Sequence, residues 1–312
     1  MRLFLIRHGE TVHNVAGVYA GITDSALTNH GVLQAGRLGA HLAATDVKVS
    51  HIFSSDLQRA ANTAEAIRVA QSPTLQPVVQ LHLLREQDFG FYEGKTFSQR
   101  PRDPSGRDAH LDVHRNDPGF RDVESKESMM VRADTFVAGH LLPLLAVVRD
   151  EHSIVVVAHG IILNYLWRSI LRRFPAANVA VATSADRGVS LDYLGAWSNT
   201  GVLDLEVKLR PGVIPVQENA TYEPPLEVPL PTFSSAEAGP STLSHQSTAV
   251  QSSATSSASI FRPMLPHMLL VVKAVNSLEH LNGLKKTRGG IGSLKHDPSQ
   301  KTMDSFFKKR TD

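Results

Sequence analysis

An α/β fold, with helices layered on both sides of a mostly parallel central sheet, is what residues 1–210 of this 312-residue chain predict. Two observations carry that expectation. Short apolar runs of strand length alternate with longer segments whose apolar residues recur at three- and four-residue spacing. Three of the runs also end in polar, chemistry-bearing residues, as expected of a three-layer αβα sandwich whose sites lie beyond the carboxyl ends of its strands.

In chain order, the first strand is residues 3–6 (LFLI), ending in Arg7-His8-Gly9. A helix over 31–43 follows, then a strand over 51–54 ending in Ser54-Ser55, and a helix over 56–70. A long helix is predicted for 127–148, where Met130, Phe136, Leu141, Leu144 and Leu145 keep the helical period. The run 154–158 is a strand delivering His159, 161–171 a helix, and 202–209 a last strand. His8, Ser54-Ser55 and His159 are therefore expected on one edge of the sheet.

Beyond this the composition changes. Residues 211–262 are rich in Ser, Pro, Thr and Ala and lack any period, so they are expected to be a disordered linker. In 263–284 a strand is predicted over 268–275, with Ser277 capping a short helix. An isolated strand is unstable, so this one is expected to return to an edge of the main sheet. Residues 285–312 read as a basic, flexible tail. The run 284–293 (LKKTRGGIGS) lacks a full phosphate-loop pattern and reads as a basic linker.

Composition excludes several classes of function. There is no cysteine, hence no disulfide, zinc-thiolate site or cysteine nucleophile, and a reducing compartment is compatible. No apolar run approaches the roughly 18 residues of a membrane span, and no signal peptide is expected. A formal charge of +2 names no partner; no sequence-specific nucleic-acid binding is expected. Cytoplasm, nucleus or both are the expected location.

Four stretches are candidates for one pocket: RHGET from Arg7, SSDLQRAANTA from Ser54, LREQDFGFYEG from Leu84 and VAHG from Val157. Singly each has a bland reading. His159 reads equally as a core histidine, Arg59 as a solvated helix residue, and Glu86 is one of 30 acidic residues. Together, in this order and with Asn14 and the segment GITDSALTNHGVLQA from Gly21, they resemble the histidine phosphatase superfamily, whose fold is phosphoglycerate mutase-like. The resemblance covers roughly residues 1–205 and looks closest to phosphatases of the fructose-2,6-bisphosphatase kind. Two departures touch loops only. Ala26 stands where the family usually has proline, and Glu127-Ser128 follows Lys126 where it usually has glycine.

The resemblance implies a metal-independent phosphatase without cofactor, acting on small phosphorylated metabolites through a phosphohistidine on His8. The chemistry is consistent with that. Neutral imidazole attacks an anionic ester without charge repulsion, provided its other nitrogen donates to something fixed; the Gly9 carbonyl is the candidate. Gly9 would also leave room for the phosphate. Arg7 and Arg59 would clamp the transferring group, and His159 would add a cationic or donor contact. Glu86 would protonate the leaving oxygen and then activate water, the phosphate charge favouring its protonated form. Asn14, Gly21, Ile22, Thr23 and Gly160 are the expected substrate-binding positions. Between Lys95 and Ser128, Arg100, Arg102, Arg107, Arg115 and Arg121 would either read a second anion or be solvated beside Asp103, Asp108, Asp112 and Asp117. Hydrolysis is favoured, with a phosphoglycerate mutase-type transfer as the second enzymatic reading. A third reading is a phosphatase-like platform for other proteins.

The final residues add a partner. Gln300, Met303, Phe306 and Phe307 are spaced as in the box by which replication and repair proteins bind the sliding clamp, proliferating cell nuclear antigen. One tight turn would bring Met303 and both phenylalanines to one side, with Gln300 in a polar pocket and Lys308, Lys309 and Arg310 speeding encounter. Docking of the two rings onto this chain's own domain is the alternative.

Overall fold

Strand β1 (Arg2–Arg7) runs through the middle of the molecule because its two faces serve two different cores. Leu3 and Leu5 pack with Met129, Phe136, Leu166 and Trp167 on one side. Phe4 and Ile6 pack with Leu38, Leu42, Ala60 and Ile67 on the other. A strand alternates its side chains between faces, so an unbroken apolar run feeds both layers at once. The computed structural model describes residues 1–45, 47–71, 75–100, 113–147, 151–183, 185, 190–210, 265–285 and 291–297. The linker expected at 211–262 and the box from Gln300 to Phe307 lie outside them.

After β1 come α1 (Val12–Ala16), α2 (Asn29–Ala44), β2 (Lys48–Ser54), α3 (Gln58–Ala70) and β3 (Val79–Gln80). Then follow α4 (Lys126–Phe136), α5 (Leu142–Val147), β4 (His152–Ala158), α6 (Gly160–Leu171), β5 (Val179–Val181), β6 (Val202–Leu209) and β7 (Met268–Ser277). Among the described residues the sheet has the order β3-β2-β4-β1-β6-β7-β5. β1, β2, β3 and β4 are parallel, and β6 is antiparallel to both β1 and β7. Helices α2 and α3 cover one face, α4 and α6 the other. The α/β sandwich expected from the sequence is the one observed. Among the described residues no helix is long and apolar enough to cross a membrane.

Three local expectations are corrected. The long helix starts at a Ser125 cap, whose side chain accepts from Ser128 N, and is interrupted by a π-helical turn over Val137–Leu141. Leu142 N donates to Val137 O there. Pro143, just beyond, has no N–H to continue the ordinary ladder, which explains a widened turn upstream of it. Glu124-Ser125, rather than Glu127-Ser128, thus opens this helix. Second, β7 is not an edge strand: β6 pairs with one of its sides and β5 with the other. The three-residue β5 has too little sequence signal to be found alone and exists because β7 offers it a ladder. Third, Ser277 caps no helix. The short turn Glu279–Leu281 is preceded by Leu278 and has no side-chain cap.

Candidate active site

The carboxyl ends of β1 and β4 lie side by side, with Arg7 paired to Ala158 in register. Each strand therefore releases its next residue, His8 or His159, at the same edge. The two rings are 5.0 Å apart and inclined by 57°. Arg7, Arg59 and Glu86 line the same cleft of about 130 Å³, together with Thr11, Asn14 and Gly21. All five residues named as catalytic from the sequence meet there.

The two histidines carry opposite tautomers. His8 Nδ1 lies 2.7 Å from Gly9 O, and a carbonyl only accepts, so Nδ1 holds the hydrogen and Nε2 keeps its lone pair. Arg59 Nε donates to His159 Nδ1 at 3.1 Å, so His159 holds its hydrogen on Nε2. That Nε2 is buried and has no protein partner. Burial first, then the Arg59 and Arg7 charges, push the His8 pKa well below the ordinary histidine value. Burial and the same arginines, with His8, do the same to His159. His159 is thus a neutral donor beside a neutral nucleophile, and the cationic option for it drops away.

Arg59 is almost wholly buried because its donors are held: Nη1 by Thr23 O at 2.9 Å, Nη2 by Gly21 O at 2.6 Å, and Nε by His159. Burial, partly offset by Glu86, Asp24 and Glu93, brings its pKa down to about 10, so it stays cationic at neutral pH. Arg7 is anchored through Nη1 to Trp197 O at 2.6 Å, and its buried Nε has no protein partner. Glu86 sits on the amino end of α6. Ile161 N and Ile162 N donate to its two oxygens at 3.1 Å, as does Gln87 N to one of them. The helix dipole and these N–H groups hold the carboxylate beside the arginines. Gly160 lies between them: a Cβ there would stand 3.9 Å from Glu86 Oε2 and 4.0 Å from Arg7 Nε.

Of the other expected positions, Asn14 and Gly21 line the cleft. Ile22 and Thr23 do not; their N–H groups and the Thr23 hydroxyl donate to the Glu93 carboxylate. Gly21 has a φ of 51°, and a Cβ there would collide with that carboxylate, so glycine is required by the loop. Gly9 needs correction. Its missing Cβ makes room for the start of α2, since a Cβ would lie 2.7 Å from Gly31 O, and not for a phosphate.

Several supporting residues carry no local sequence signal. Asn199 Nδ2 donates to His8 O at 3.2 Å and to Asn14 Oδ1 at 3.0 Å. Thr200 N donates to Arg7 O and His8 O at 3.0 and 3.2 Å, from a backbone at φ 57° that a β-branched residue rarely adopts. Thr200 Oγ1 donates to Asn199 O and faces His280 Nε2 at 2.9 Å. Gly9 N donates to Thr63 Oγ1. Arg132, nearly buried, donates to the carbonyls of Leu83, Arg85 and Glu86 and is paired with Glu124 at 2.8 Å, which locks the Glu86 loop. Apart from Thr63, which lies within the stretch from Ser54, only the finished fold brings these residues to the site, so no motif scan could have found them.

Residues 3–185 match the family model described as histidine phosphatase superfamily (branch 1). A probable phosphatase of Schizosaccharomyces pombe is 36% identical over 178 residues, 54% of this chain and 56% of that protein. A putative phosphoserine phosphatase 2 of Hydrogenobacter thermophilus is 34% identical across 53% of this chain and 82% of its own. A probable phosphoglycerate mutase of Proteus mirabilis is 34% identical across 55% of this chain and 75% of its own. Among solved structures, a mycobacterial glucosyl-3-phosphoglycerate phosphatase with bound VO3 aligns at 26% identity and a TM-score of 0.48, over 66% of this chain and 92% of that one. With more than half of its length matched to the family model, and with a pair of buried histidines at adjacent strand ends, this chain belongs to the histidine phosphatase superfamily.

Proposed function

We propose that this protein hydrolyses phosphate monoesters of small metabolites by way of a phosphohistidine on His8. The observation that supports this best is the pair of opposite tautomers: a lone pair on His8 Nε2 next to an N–H on His159 Nε2. In the first step His8 Nε2 forms a bond to phosphorus as the ester P–O bond breaks. Glu86, carrying the proton that a monoanionic ester brings into the site, passes it to the leaving oxygen. In the second step Glu86 takes a proton from water, whose oxygen bonds to phosphorus while the P–N bond breaks, and inorganic phosphate leaves. Arg7, Arg59 and the His159 N–H stabilise the oxygens of the transferring group throughout. The test is release of phosphate from a panel of phosphorylated sugars, glycerates and peptides with EDTA present. Turnover with an acid-labile phosphoenzyme that disappears in His8→Ala is expected. Normal turnover by that variant would end the proposal.

A mutase-type transfer is the second reading, favoured by the name of the Proteus mirabilis relative. It would give an isomerised phosphoester in place of free phosphate in the same assay. A substrate of the fructose-2,6-bisphosphatase kind would need a reader for its second phosphate. Arg121 is already paired with Asp88 at 2.7 Å, Arg100 lies over the Tyr92 ring and Arg115 is exposed, while Arg102 and Arg107 are outside the described residues. Recruitment to the sliding clamp is a separate proposal resting on Gln300, Met303, Phe306 and Phe307. Its support beyond the spacing is a tether. Asn29 N donates to Leu294 O and His296 N to Leu27 O, which fastens the chain to the start of α2 just ahead of the box. A tail peptide without affinity for the clamp, or indifferent to changing both phenylalanines to alanine, would remove it.

A further inference from the structure

The cleft has two unlike halves. Both cations that line it, Arg7 and Arg59, are gathered with the neutral His159 around the His8 ring, with Glu86 as their acidic partner. The rest of the lining is Thr11, Asn14 and Gly21 and an apolar and aromatic wall of Val18, Tyr19, Ala20, Phe89 and Phe97. Tyr19 is the keystone of that wall: its ring lies 4.6 Å from Phe89 and 4.7 Å, edge-on, from Phe97. Phe89 is 7% exposed and fixed, whereas Phe97 is 46% exposed on the short turn Phe97–Gln99. An apolar ring half open to solvent, contiguous with a cleft, is surface left for a ligand. Two cations in the loop around Phe97 are engaged elsewhere, Lys95 over the Phe91 ring at 2.7 Å and Arg100 over Tyr92 at 5.6 Å.

We propose that the site prefers monophosphate esters whose leaving group is neutral and apolar, aromatic groups foremost, over bisphosphates and phosphorylated acids. The inference rests on the phosphatase reading above and assigns its substrate class. The phosphate would sit among Arg7, Arg59 and the two histidines, and the organic group would lie along Tyr19 and Phe97. A second anion there would lose its hydration against five apolar or aromatic surfaces and meet no cation among the residues that form that wall, a cost no phosphate contact at the other end recovers. An aromatic ring gains both area burial and ring-to-ring contact along that wall.

The test compares benzyl phosphate, glycerol 2-phosphate and 2,3-bisphosphoglycerate, all esters of poor leaving groups, so that reactivity does not mimic recognition. With EDTA and constant ionic strength, kcat/KM is expected to be about tenfold or more higher for benzyl phosphate than for either of the others. Phe97→Ala, at an exposed position the fold tolerates, should cut the benzyl-to-glycerol ratio several-fold, chiefly through KM. Preference for the bisphosphate, and its selective loss when Arg102 and Arg107 are both changed to alanine, would overturn the inference while leaving hydrolysis at His8 intact. A benzyl-to-glycerol ratio unmoved by Phe97→Ala would overturn it as well. Absence of His8-dependent release from all three esters would instead sink the phosphatase reading, and this inference with it.

Discussion

Two of the histidine pairs among the described residues behave differently. His8 and His159 stand 5.0 Å apart at the ends of β1 and β4; His41 and His280 stand 6.2 Å apart between α2 and the segment after β7. Burial lowers the pKa of His280 to about 4, just as it lowers those of His8 and His159. The cleft beside His280 is also the larger, about 220 Å³ against 130 Å³. Yet nothing there is poised for chemistry. Thr200 Oγ1 gives its proton to Asn199 O, so it accepts from His280 Nε2, and the nearby Arg2 is bound to Asp204. At His8 the Nε2 lone pair shares an open cleft with Arg59 and Arg7, whose charges the single carboxylate that lines it, Glu86, offsets only in part. A buried imidazole in a cavity is common. An uncommitted lone pair in a cleft shared with two arginines and one carboxylate is what separates the candidate active site from its neighbour.

The same substitution at both positions sharpens that contrast most. His8→Gln removes the nucleophile and is expected to lower kcat by a factor on the order of 10⁴ to 10⁶. His280→Gln keeps a donor toward Thr200 and should change kcat by less than about twofold, while His280→Leu, losing one net hydrogen bond, should lower it about fivefold. Steady-state rates on one ester decide the matter, and equal losses at the two sites would break the comparison. Next in size, Glu86→Gln keeps the shape but cannot exchange protons; kcat should fall on the order of 10² to 10⁴-fold. Binding of inorganic phosphate, followed by calorimetry, should stay within a few-fold, and its collapse would mean that Glu86 supports the arginines instead.

The smallest effect concerns acid. His280 has a folded pKa of about 4, below the ordinary 6.5, so the unfolded chain binds the extra proton first. Its contribution to stability is complete above pH 6.5 and is lost as pH falls from there to about 4. His8 and His159 are shifted in the same direction and add to the loss. The melting temperature should therefore drop across this window, and His280→Gln should flatten the slope without removing it. For the same reason His8 remains neutral, and competent to attack, at pH values below 6.5.

Legibility in the sequence followed the range of the interactions involved. The runs at 3–6 and 154–158 are apolar at every position because β1 and β4 are covered on both faces, so each could be read as a strand without knowing its neighbours. Catalytic candidates at their ends were legible for the same reason: a strand in a parallel sheet must deliver its next residue to one edge. Gly9 was misread because a glycine shows only that a Cβ is forbidden, and the atom forbidding it, Gly31 O, belongs to another element. β7 was found as a strand, but its place between β6 and β5 depends on pairings that cross a long stretch of chain.

What the sequence by itself determined is the alternation of buried strands with amphipathic helices and, through it, the delivery of Arg7, His8 and His159 to one sheet edge, with Arg59 and Glu86 joined to them by the resemblance to the family. What only the tertiary structure decided is the condition of those groups. The tautomers come from Gly9 O and Arg59, the support of His8 from Asn199 and Thr200, and the apolar wall from Tyr19, Phe89 and Phe97. The division has a physical reason. Burial periodicity is a property of neighbouring residues along the chain, whereas proton position and cleft shape depend on atoms that come together only once the sheet has closed.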